Sequence, residues 1–144
     1  MQIITRQVKD KPLTVTIEYP EHTDFVTSLV RRISSMDTSF SASIDGRRVK
    51  ISLSDVYYIE NVERKLFLYT AKDVYRLDSS MPEMLSITAD TDLVRISRTC
   101  IMNTDHLKEI RQVRNSHLEA VLDNDEMLIV SRKYLKDIKR VFQK

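Results

Sequence analysis

The sequence predicts a mostly β protein of the α+β class, built on antiparallel sheets with a few helices. Short runs rich in aromatic and branched residues follow one another from residue 46 to residue 130, with brief polar gaps, and such runs are typical of strands. No regular helical segments alternate with these runs, as the crossovers of a parallel sheet require. The only glycine, Gly46, follows Asp45 between two alternating runs, which indicates a tight hairpin.

Residues 1–44 are predicted to form a small strand and helix extension ahead of the main domain, which spans 45–144. Residues 13–17 alternate between apolar and polar side chains and stop before Pro20, which predicts a strand. An extension of about 45 residues without disulfides rarely folds alone. We therefore expect it to pack against the rest of the chain or against a second subunit.

A helix is predicted over residues 24–36 of the extension. Thr23 or Asp24 can cap its start, because a side-chain oxygen accepts from the free N–H groups of the first turn. Apolar residues then recur at helical spacing. The predicted apolar face consists of Phe25, Val26, Leu29, Val30, Ile33 and Met36.

The main domain is predicted to contain a succession of strands, an internal helix and a C-terminal helix. Ser80 and Glu83 have the spacing of a capping box, with Pro82 between them in the first turn, which predicts a helix start. The last helix is predicted to begin near Ser131. Its apolar face would consist of Tyr134, Leu135, Ile138, Val141 and Phe142. The predicted strands are 40–44, 49–53, 56–59, 65–69, 73–77, 93–96, 107–110, 118–122 and 127–130.

The composition excludes several classes of enzyme and binding protein. One glycine cannot build a phosphate-binding loop, which needs several, and one cysteine, Cys100, cannot make an intrachain disulfide or a multi-cysteine metal site. The three histidines lack metal-ligand spacing. We therefore expect no catalytic residues, no metal and no cofactor. The low cysteine content and the lack of a signal-peptide pattern or membrane-length apolar run favour a cytoplasmic protein.

Four segments, taken in order, resemble the LytTR family of bacterial DNA-binding domains. They are ISLSDVYYIE at 51–60, KLFLYT at 65–70, LVRISRTCIMN at 93–103 and VSRKY at 130–134. The resemblance covers about residues 46–142, the whole of that family's domain. It implies an elongated stack of antiparallel sheets that recognises duplex DNA through side chains on loops and connecting turns. Such domains read successive major grooves, often at paired direct repeats with bending of the duplex, and regulate transcription.

The first basic cluster lies in the turn at residues 61–65. Its residue types alone are typical of a solvated β-turn, since turns are usually polar. The resemblance implies that a basic side chain here contacts a base, and Arg64 is the best match, with Lys65 as the alternative if the loop shifts by one residue. A guanidinium presents two parallel donors that fit guanine O6 and N7.

The second cluster is Arg95 with Ser97, Arg98 and Thr99. Charges on an edge strand also serve to discourage aggregation, which is the alternative explanation. The resemblance implies phosphate contact by Arg95 and base or backbone contact by Arg98. Asn103, at the end of this segment, is expected to be structural, because Asn side chains readily cap or fold back on the backbone.

The third cluster is Arg132 and Lys133, directly after Ser131. If Ser131 caps the last helix, both cations lie in its first turn, where acidic residues are favoured by about 0.3–1 kcal/mol. Side chains that contradict a local preference often mark function, and exposed N–H groups with two cations suit a DNA phosphate. A solvated helix face is the alternative. The resemblance implies a basic DNA contact here, by Lys133 first and Arg132 next.

The sequence thus predicts three basic clusters that converge on one cationic edge facing duplex DNA. Arg64, Arg98 and Lys133 would read or position bases, and Lys65, Arg95 and Arg132 would hold phosphates. The expected partners are double-stranded DNA and a second copy of the chain, and the resemblance adds a small membrane regulatory protein as a possible third. The net charge of only +2 motivates the alternative, a protein-interaction or ligand-sensing module that does not bind DNA.

Overall fold

The computed structural model describes residues 1–113, 117–136 and 138 and has a mostly β architecture. Two antiparallel sheets share one hydrophobic cluster. The part of the chain that the structure describes includes two bounded α-helices and further helical residues at 135–136 and 138. The helices are α1 (Asp24–Met36) and α2 (Met81–Ile87). The strands are β1 (Ser39–Ile44), β2 (Arg47–Ser52), β3 (Tyr58–Val62), β4 (Lys65–Tyr69), β5 (Val74–Leu77), β6 (Leu93–Ser97), β7 (Cys100–Asn103), β8 (Leu107–Val113), β9 (His117–Leu122) and β10 (Met127–Val130). The predicted fold class is confirmed.

The larger sheet has seven strands in the order β2-β1-β5-β4-β3-β7-β6, and the smaller has three in the order β10-β9-β8. Neighbouring side chains of β7 pack into two different hydrophobic clusters, one on each face of the large sheet. Ile101 packs with α2, whereas Cys100 and Met102 pack with the three-stranded sheet, because neighbours along a strand point to opposite faces. The strands β3, β7 and β6 therefore contribute side chains to the hydrophobic clusters on both faces of the large sheet.

Two hairpin turns of the large sheet share a backbone conformation but differ in their residues. The β1–β2 turn has Asp45 at φ 48° and Gly46 at φ 74°, as a tight two-residue turn requires, and this confirms the predicted hairpin. The β3–β4 turn has Glu63 at φ 52° and Arg64 at φ 65°. Positive φ costs a residue with a Cβ about 1–2 kcal/mol. Arg64 is therefore held in a conformation that glycine would adopt without strain.

Helix α1 is tied to the main domain by a buried carboxylate. Thr23 caps the helix as predicted, with its hydroxyl oxygen accepting from the Val26 N–H at 3.4 Å. Further along, Arg32 Nε lies 3.0 Å from Asp92 Oδ2 and its Nη1 lies 3.0 Å from Asp105 Oδ1. Burial raises the pKa of the Asp92 carboxyl, and the Arg32 charge opposes that rise. Arg32 therefore helps to keep a desolvated carboxylate ionised where α1 meets the sheet.

Replacing Arg32 by Ala is expected to loosen α1, because the Asp92 carboxylate then loses its cation. Removal of one partner from a buried pair is strongly destabilising, but Arg32 is largely exposed and solvent screens the pair, so we expect a loss of about 1–2 kcal/mol. Hydrogen exchange of the α1 amides should accelerate by roughly tenfold. Arg31→Ala removes the neighbouring cation and serves as the control. The same exchange rate in both variants would contradict the role given to Arg32.

The predicted strand at residues 13–17 is wrong for the single chain. Residues 1–23 contain a turn at 9–10, with Asp10 at φ 66°, and a bend at 20–21, but no strand. A strand needs a neighbour to satisfy its backbone groups, and within the described ranges no backbone–backbone hydrogen bond joins residues 1–22 to another segment. Residues 13–17 therefore have the alternating pattern of a strand, but no described strand lies beside them.

The apolar face predicted for α1 is only partly buried. Val26 is buried as expected, whereas Phe25 and Met36 are 58% and 75% exposed. The helix is turned so that Ser35 lies on the buried side, where its hydroxyl oxygen accepts from the Asp92 N–H at 2.8 Å. Ser35 therefore packs against the main domain where the apolar periodicity predicts larger side chains. Part of the apolar face of α1 remains exposed as a result.

The C-terminal helix starts differently from the prediction. A 3₁₀ turn spans Arg132–Tyr134, and the Ser131 hydroxyl makes no capping hydrogen bond. Instead, the Ser131 backbone bridges two elements: its N–H donates to the Ile96 carbonyl at 2.8 Å, and its carbonyl accepts from the Tyr134 N–H at 3.0 Å. Ile138 is fully buried as predicted. Val141 and Phe142 lie outside the described residues.

Asn103 is a structural residue, as the sequence predicts. Its side chain is fully buried at the end of β7. The amide Nδ2 donates to the carbonyls of Leu53, at 3.3 Å, and Val56, at 2.7 Å, and Oδ1 accepts from the Asp105 N–H at 3.0 Å. One side chain therefore fixes the 3₁₀ turn before β3 (Leu53–Asp55) and the one after β7 (Thr104–His106).

A polar cluster of Tyr57, His106 and Asp123 connects the segment before β3 in the large sheet with the β9–β10 turn of the small sheet. The Tyr57 and His106 rings stack with centroids 4.1 Å apart. His106 Nδ1 lies 3.0 Å from Asp123 Oδ2, and its Nε2 lies 2.8 Å from the Ser54 carbonyl. Burial alone would raise the pKa of the Asp123 carboxyl, but hydrogen bonds with His106 and Tyr57 outweigh it, and the pKa is lowered. The cluster links the turn before β3 with the β9–β10 turn.

Candidate nucleic-acid interface

The three basic clusters predicted from the sequence lie on elements that the backbone joins. Asn61 N–H donates to the Thr99 carbonyl at 2.8 Å, which ties the end of β3 to the β6–β7 turn. Glu60 pairs with Cys100 in the β3–β7 ladder, so the β3–β4 and β6–β7 turns lie at the same end of the sheet. The Ser131–Ile96 hydrogen bond brings the 3₁₀ turn at 132–134 to β6. Segments far apart in sequence thus meet at one edge.

Arg64 and Lys65 occupy the β3–β4 turn. Both are exposed, and Lys65 pairs through its backbone with Val62 to close the hairpin. Within the described ranges, neither side chain has a hydrogen bond or an ion pair. Both cations are therefore available to an external anion or base.

The Arg95 guanidinium is engaged within the protein. Its Nε donates to the Ser97 carbonyl at 3.0 Å and its Nη2 to the Arg98 carbonyl at 2.8 Å. The guanidinium carbon also lies 5.3 Å from the centroid of the Tyr134 ring, a distance typical of a cation–π contact. Arg95 thus shapes the β6–β7 turn and connects it to the 3₁₀ turn at 132–134, a role that the sequence does not reveal.

Arg98 is exposed at the tip of the β6–β7 turn. Its carbonyl is held by Arg95, and the turn is further fixed by the Ser97 hydroxyl, which accepts from the Thr99 N–H at 3.3 Å. Among the residues that the structure describes, no side-chain partner of Arg98 is present. The backbone of the turn is therefore fixed while its longest side chain extends into solvent.

Lys133 and Arg132 are both exposed in the 3₁₀ turn after β10. Lys133 Nζ lies 5.8 Å from the Tyr134 ring centroid. Tyr134 therefore has two cations near its ring, Arg95 and Lys133, which come from different elements. The apolar periodicity assigns Tyr134 only to a helix face, although its position directly after two cations could have indicated a ring that holds cations. We call the Tyr134 ring with Arg95 and Lys133 the cation–π platform.

An open groove of about 690 Å³ runs beside these segments, between the β6–β7 turn and β10. Its lining residues include Glu60, Thr99, His117, Met127, Ile129 and Arg132. Cys100 lies at the inner side of the groove and is buried. Burial raises the pKa of the Cys100 thiol to about 12, so the thiol stays protonated and is a poor nucleophile.

The fold is that of a β-rich DNA-binding domain. The LytTr DNA-binding domain family matches residues 46–143, and the chain therefore belongs to this family. A solved LytTr DNA-binding domain from Bacillus cereus superposes with a TM-score of 0.68 at 19% identity, covering 75% of this chain and 99% of that one. The resemblance inferred from the four sequence segments is confirmed.

Two curated relatives are similar to about two thirds of the chain. Sensory transduction protein LytT of Enterococcus faecalis is 26% identical over 89 residues, which cover 62% of this chain and 37% of that protein. Transcriptional regulatory protein YpdB of Escherichia coli K12 is 26% identical over 98 residues, which cover 67% and 40%. The chain spans about two fifths of the length of these relatives. No helix in the described part of the chain has the length and apolar character needed to cross a membrane.

Proposed function

We propose that the chain is a cytoplasmic transcriptional regulator that binds double-stranded DNA sequence-specifically, as a homodimer on repeated half-sites. Its LytTR domain supports DNA binding, and a relative named as a transcriptional regulatory protein supports the regulatory role. The observation that carries the proposal is the meeting of three basic segments at one edge of the sheets, held by the Asn61–Thr99 and Ser131–Ile96 hydrogen bonds.

The six cations divide into two roles in this proposal. Arg64, Arg98 and Lys133 read or position bases, because they extend from fixed turns into solvent. Planar or compact donors of this kind match the acceptors of guanine in the major groove. The phosphate contacts are Lys65, Arg95 and Arg132. Two of the Arg95 donor groups already bind carbonyls, so Arg95 also positions the turn that carries Arg98.

Selection from a pool of random duplexes tests the proposal most directly. The purified protein should enrich a defined sequence, and the enriched duplexes should contain two copies at a fixed spacing if a dimer binds. Enrichment of single, unpaired motifs would argue against the dimer but not against sequence-specific binding. Recovery of random sequences, or of none, would overturn the DNA-reading proposal.

Replacing Lys65 by Ala is expected to weaken binding evenly on cognate and scrambled DNA. A phosphate contact is blind to sequence, and its loss should reduce the slope of log K against log salt by about 0.9. Titrations at several salt concentrations measure this slope. Lys72→Ala is a matched control, because Lys72 is exposed in the β4–β5 turn at the opposite end of the same strand. An equal change in both variants would show that only net charge matters.

Replacing Tyr134 by Leu is expected to weaken DNA binding by up to about fivefold through the loss of the cation–π platform, which is worth about 0.5–1 kcal/mol at an exposed site. Tyr134→Phe keeps the ring and should bind as the wild type does. Fluorescence anisotropy with a labelled duplex measures both variants. If Tyr134→Phe loses as much affinity as Tyr134→Leu, the hydroxyl matters and the platform explanation fails.

A module without DNA-binding activity is the second candidate function, favoured by the near-neutral net charge of +2. Such a protein would pass through heparin and DNA columns at moderate salt, because few counterions would be released on contact. Retention that is lost steeply as salt rises supports the regulator instead.

A further inference from the structure

Seven exposed, large apolar side chains lie in the first nineteen residues, ahead of the LytTR domain. Leu13 is 98% exposed and Val15 is 58% exposed. The seven residues are Met1, Ile3, Ile4, Val8, Leu13, Val15 and Tyr19. Scattered apolar residues are ordinary on a surface, but a concentration of them marks a contact site.

The backbone of this segment is unpaired as well. Among the described residues, no backbone–backbone hydrogen bond joins residues 1–22 to another segment of the chain. Their side-chain contacts are local, such as Thr14 with the Pro12 carbonyl and Tyr19 with His22. Pro12 and Pro20, which lack an N–H, bracket the residues able to pair as a strand. Residues 13–18 alternate apolar and polar side chains. The segment therefore has the length and pattern of a strand that lacks a neighbour.

The large sheet has an open edge of matching chemistry at β2. Among the described residues β2 pairs only with β1, so its other edge offers free N–H and C=O groups. Val49 and Ile51 face the apolar core with α2, whereas Arg48 and Lys50 lie on the exposed face. Arg48 Nη2 lies 3.0 Å from Asp78 Oδ2, and its Nη1 donates to Ser41 Oγ at 3.3 Å. At the opposite edge of this sheet, β6 is mostly buried. In the small sheet, the edge strand β10 (Met127–Val130) has no charged residue. The other edge strand, β8, is irregular, with a register shift between Leu107 and Glu109, and such irregularities discourage pairing with a further strand.

We propose that residues 13–18 of one copy add to the β2 edge of a second copy and so form the homodimer; the mode of dimerisation rests on the proposed function. An antiparallel register with Ile17 opposite Val49 places Val15 opposite Ile51. The same register places Glu18 opposite Arg48 and Thr16 opposite Lys50, because residues opposite each other share a face. Apolar side chains meet the core face, and on the other face the Glu18 carboxylate joins Asp78 beside the exposed Arg48 guanidinium.

The occupant is a second copy because the segment and the edge are both present in every chain. A two-fold axis lets each copy donate one strand and accept one, which closes the assembly as a dimer. Main-chain hydrogen bonds supply affinity in such strand additions, and alternate side chains supply register. Glu18 and Glu21 lie at the end of the segment, and Arg47, Arg48 and Lys50 lie on β2, so the charges are complementary.

Disulfide trapping tests the register. Thr16→Cys protein is mixed with Lys50→Cys protein and oxidised, and a crosslinked dimer should form, since opposite strand residues lie within disulfide range. The native Cys100 is buried and does not interfere. Thr16→Cys mixed with Lys72→Cys is the control. Two results would overturn the inference. If Thr16→Cys crosslinks to itself, the N-terminal segments of the two copies pair with each other. If the Thr16→Cys/Lys50→Cys double variant forms a disulfide as a monomer, the segment folds back on its own chain.

Proline substitution tests the backbone pairing. N–H groups of neighbouring strand residues point to opposite sides, so one of Val15→Pro and Thr16→Pro must remove a bond to β2. That variant should self-associate at least tenfold more weakly in sedimentation, whereas Val8→Pro should behave as the wild type. The variant should still bind a single half-site. If both Val15→Pro and Thr16→Pro self-associate as the wild type does, the inference is overturned. If the wild-type protein binds no DNA, the proposed function is refuted, but the dimer result still stands.

Discussion

Replacing Arg64 by Gly should raise the stability of the protein and lower its affinity for cognate DNA. Glycine relieves the positive φ of 65° at this position, and we expect a gain of about 1 kcal/mol in the free energy of unfolding. The lost guanidinium should cost about 1–3 kcal/mol at one base pair and relax specificity there. Urea denaturation measures the first effect, and titration against duplexes with each substitution at that base pair measures the second.

Two further variants separate strain from recognition. Arg64→Ala removes the same guanidinium but retains the strained backbone, so it should lose specificity without the gain in stability. Asp90→Gly relieves a comparable φ of 62° in the turn after α2, so it should stabilise the protein without affecting DNA binding. Equal losses of Arg64→Gly on cognate and scrambled DNA would count against a base-reading role for Arg64.

Replacing Asn103 by Ala should destabilise the protein by about 3 kcal/mol. The change deprives the buried Val56 carbonyl of its partner and leaves the partly buried Asp105 N–H without one. A buried polar group left unpaired costs about 1–3 kcal/mol. Chemical denaturation measures the loss. Asn124→Ala is the matched control, because Asn124 also bonds through both side-chain atoms, to Glu126, but is exposed. Similar losses in the two variants would contradict the importance of burial.

Most of the fold could be predicted because its local signals agree with its packing. The Asp45-Gly46 turn and the Ser80 cap of α2 behave as their residue types dictate. The prediction fails where a segment depends on a distant partner. Residues 13–17 have the alternation of a strand, but alternation cannot show whether a neighbouring strand exists in the same chain. The packed side of α1 is set by Ser35 and Arg32, which bond to Asp92, rather than by its apolar residues.

The location of the candidate site followed from the sequence, but its internal contacts did not. Family resemblance placed Arg64, Arg98 and Lys133 on segments that meet in space. It could not show that Arg95 binds the carbonyls of its own turn, because that contact depends on the exact bend between β6 and β7. The contact between Arg95 and Tyr134 was missed for the same reason, because only the folded chain brings their elements together. Lys133 is next to Tyr134 in the sequence, so that contact could have been anticipated.

The two sheets are fastened twice, by Tyr57, His106 and Asp123 on one side and by Ser131 and Ile96 on the other. Two separate attachments restrict rotation of one sheet against the other, so we expect the proposed DNA contacts to keep a fixed spacing. In the proposed complex the duplex has to conform to that fixed gap. Base pairs that the protein never touches would then influence affinity through their stiffness.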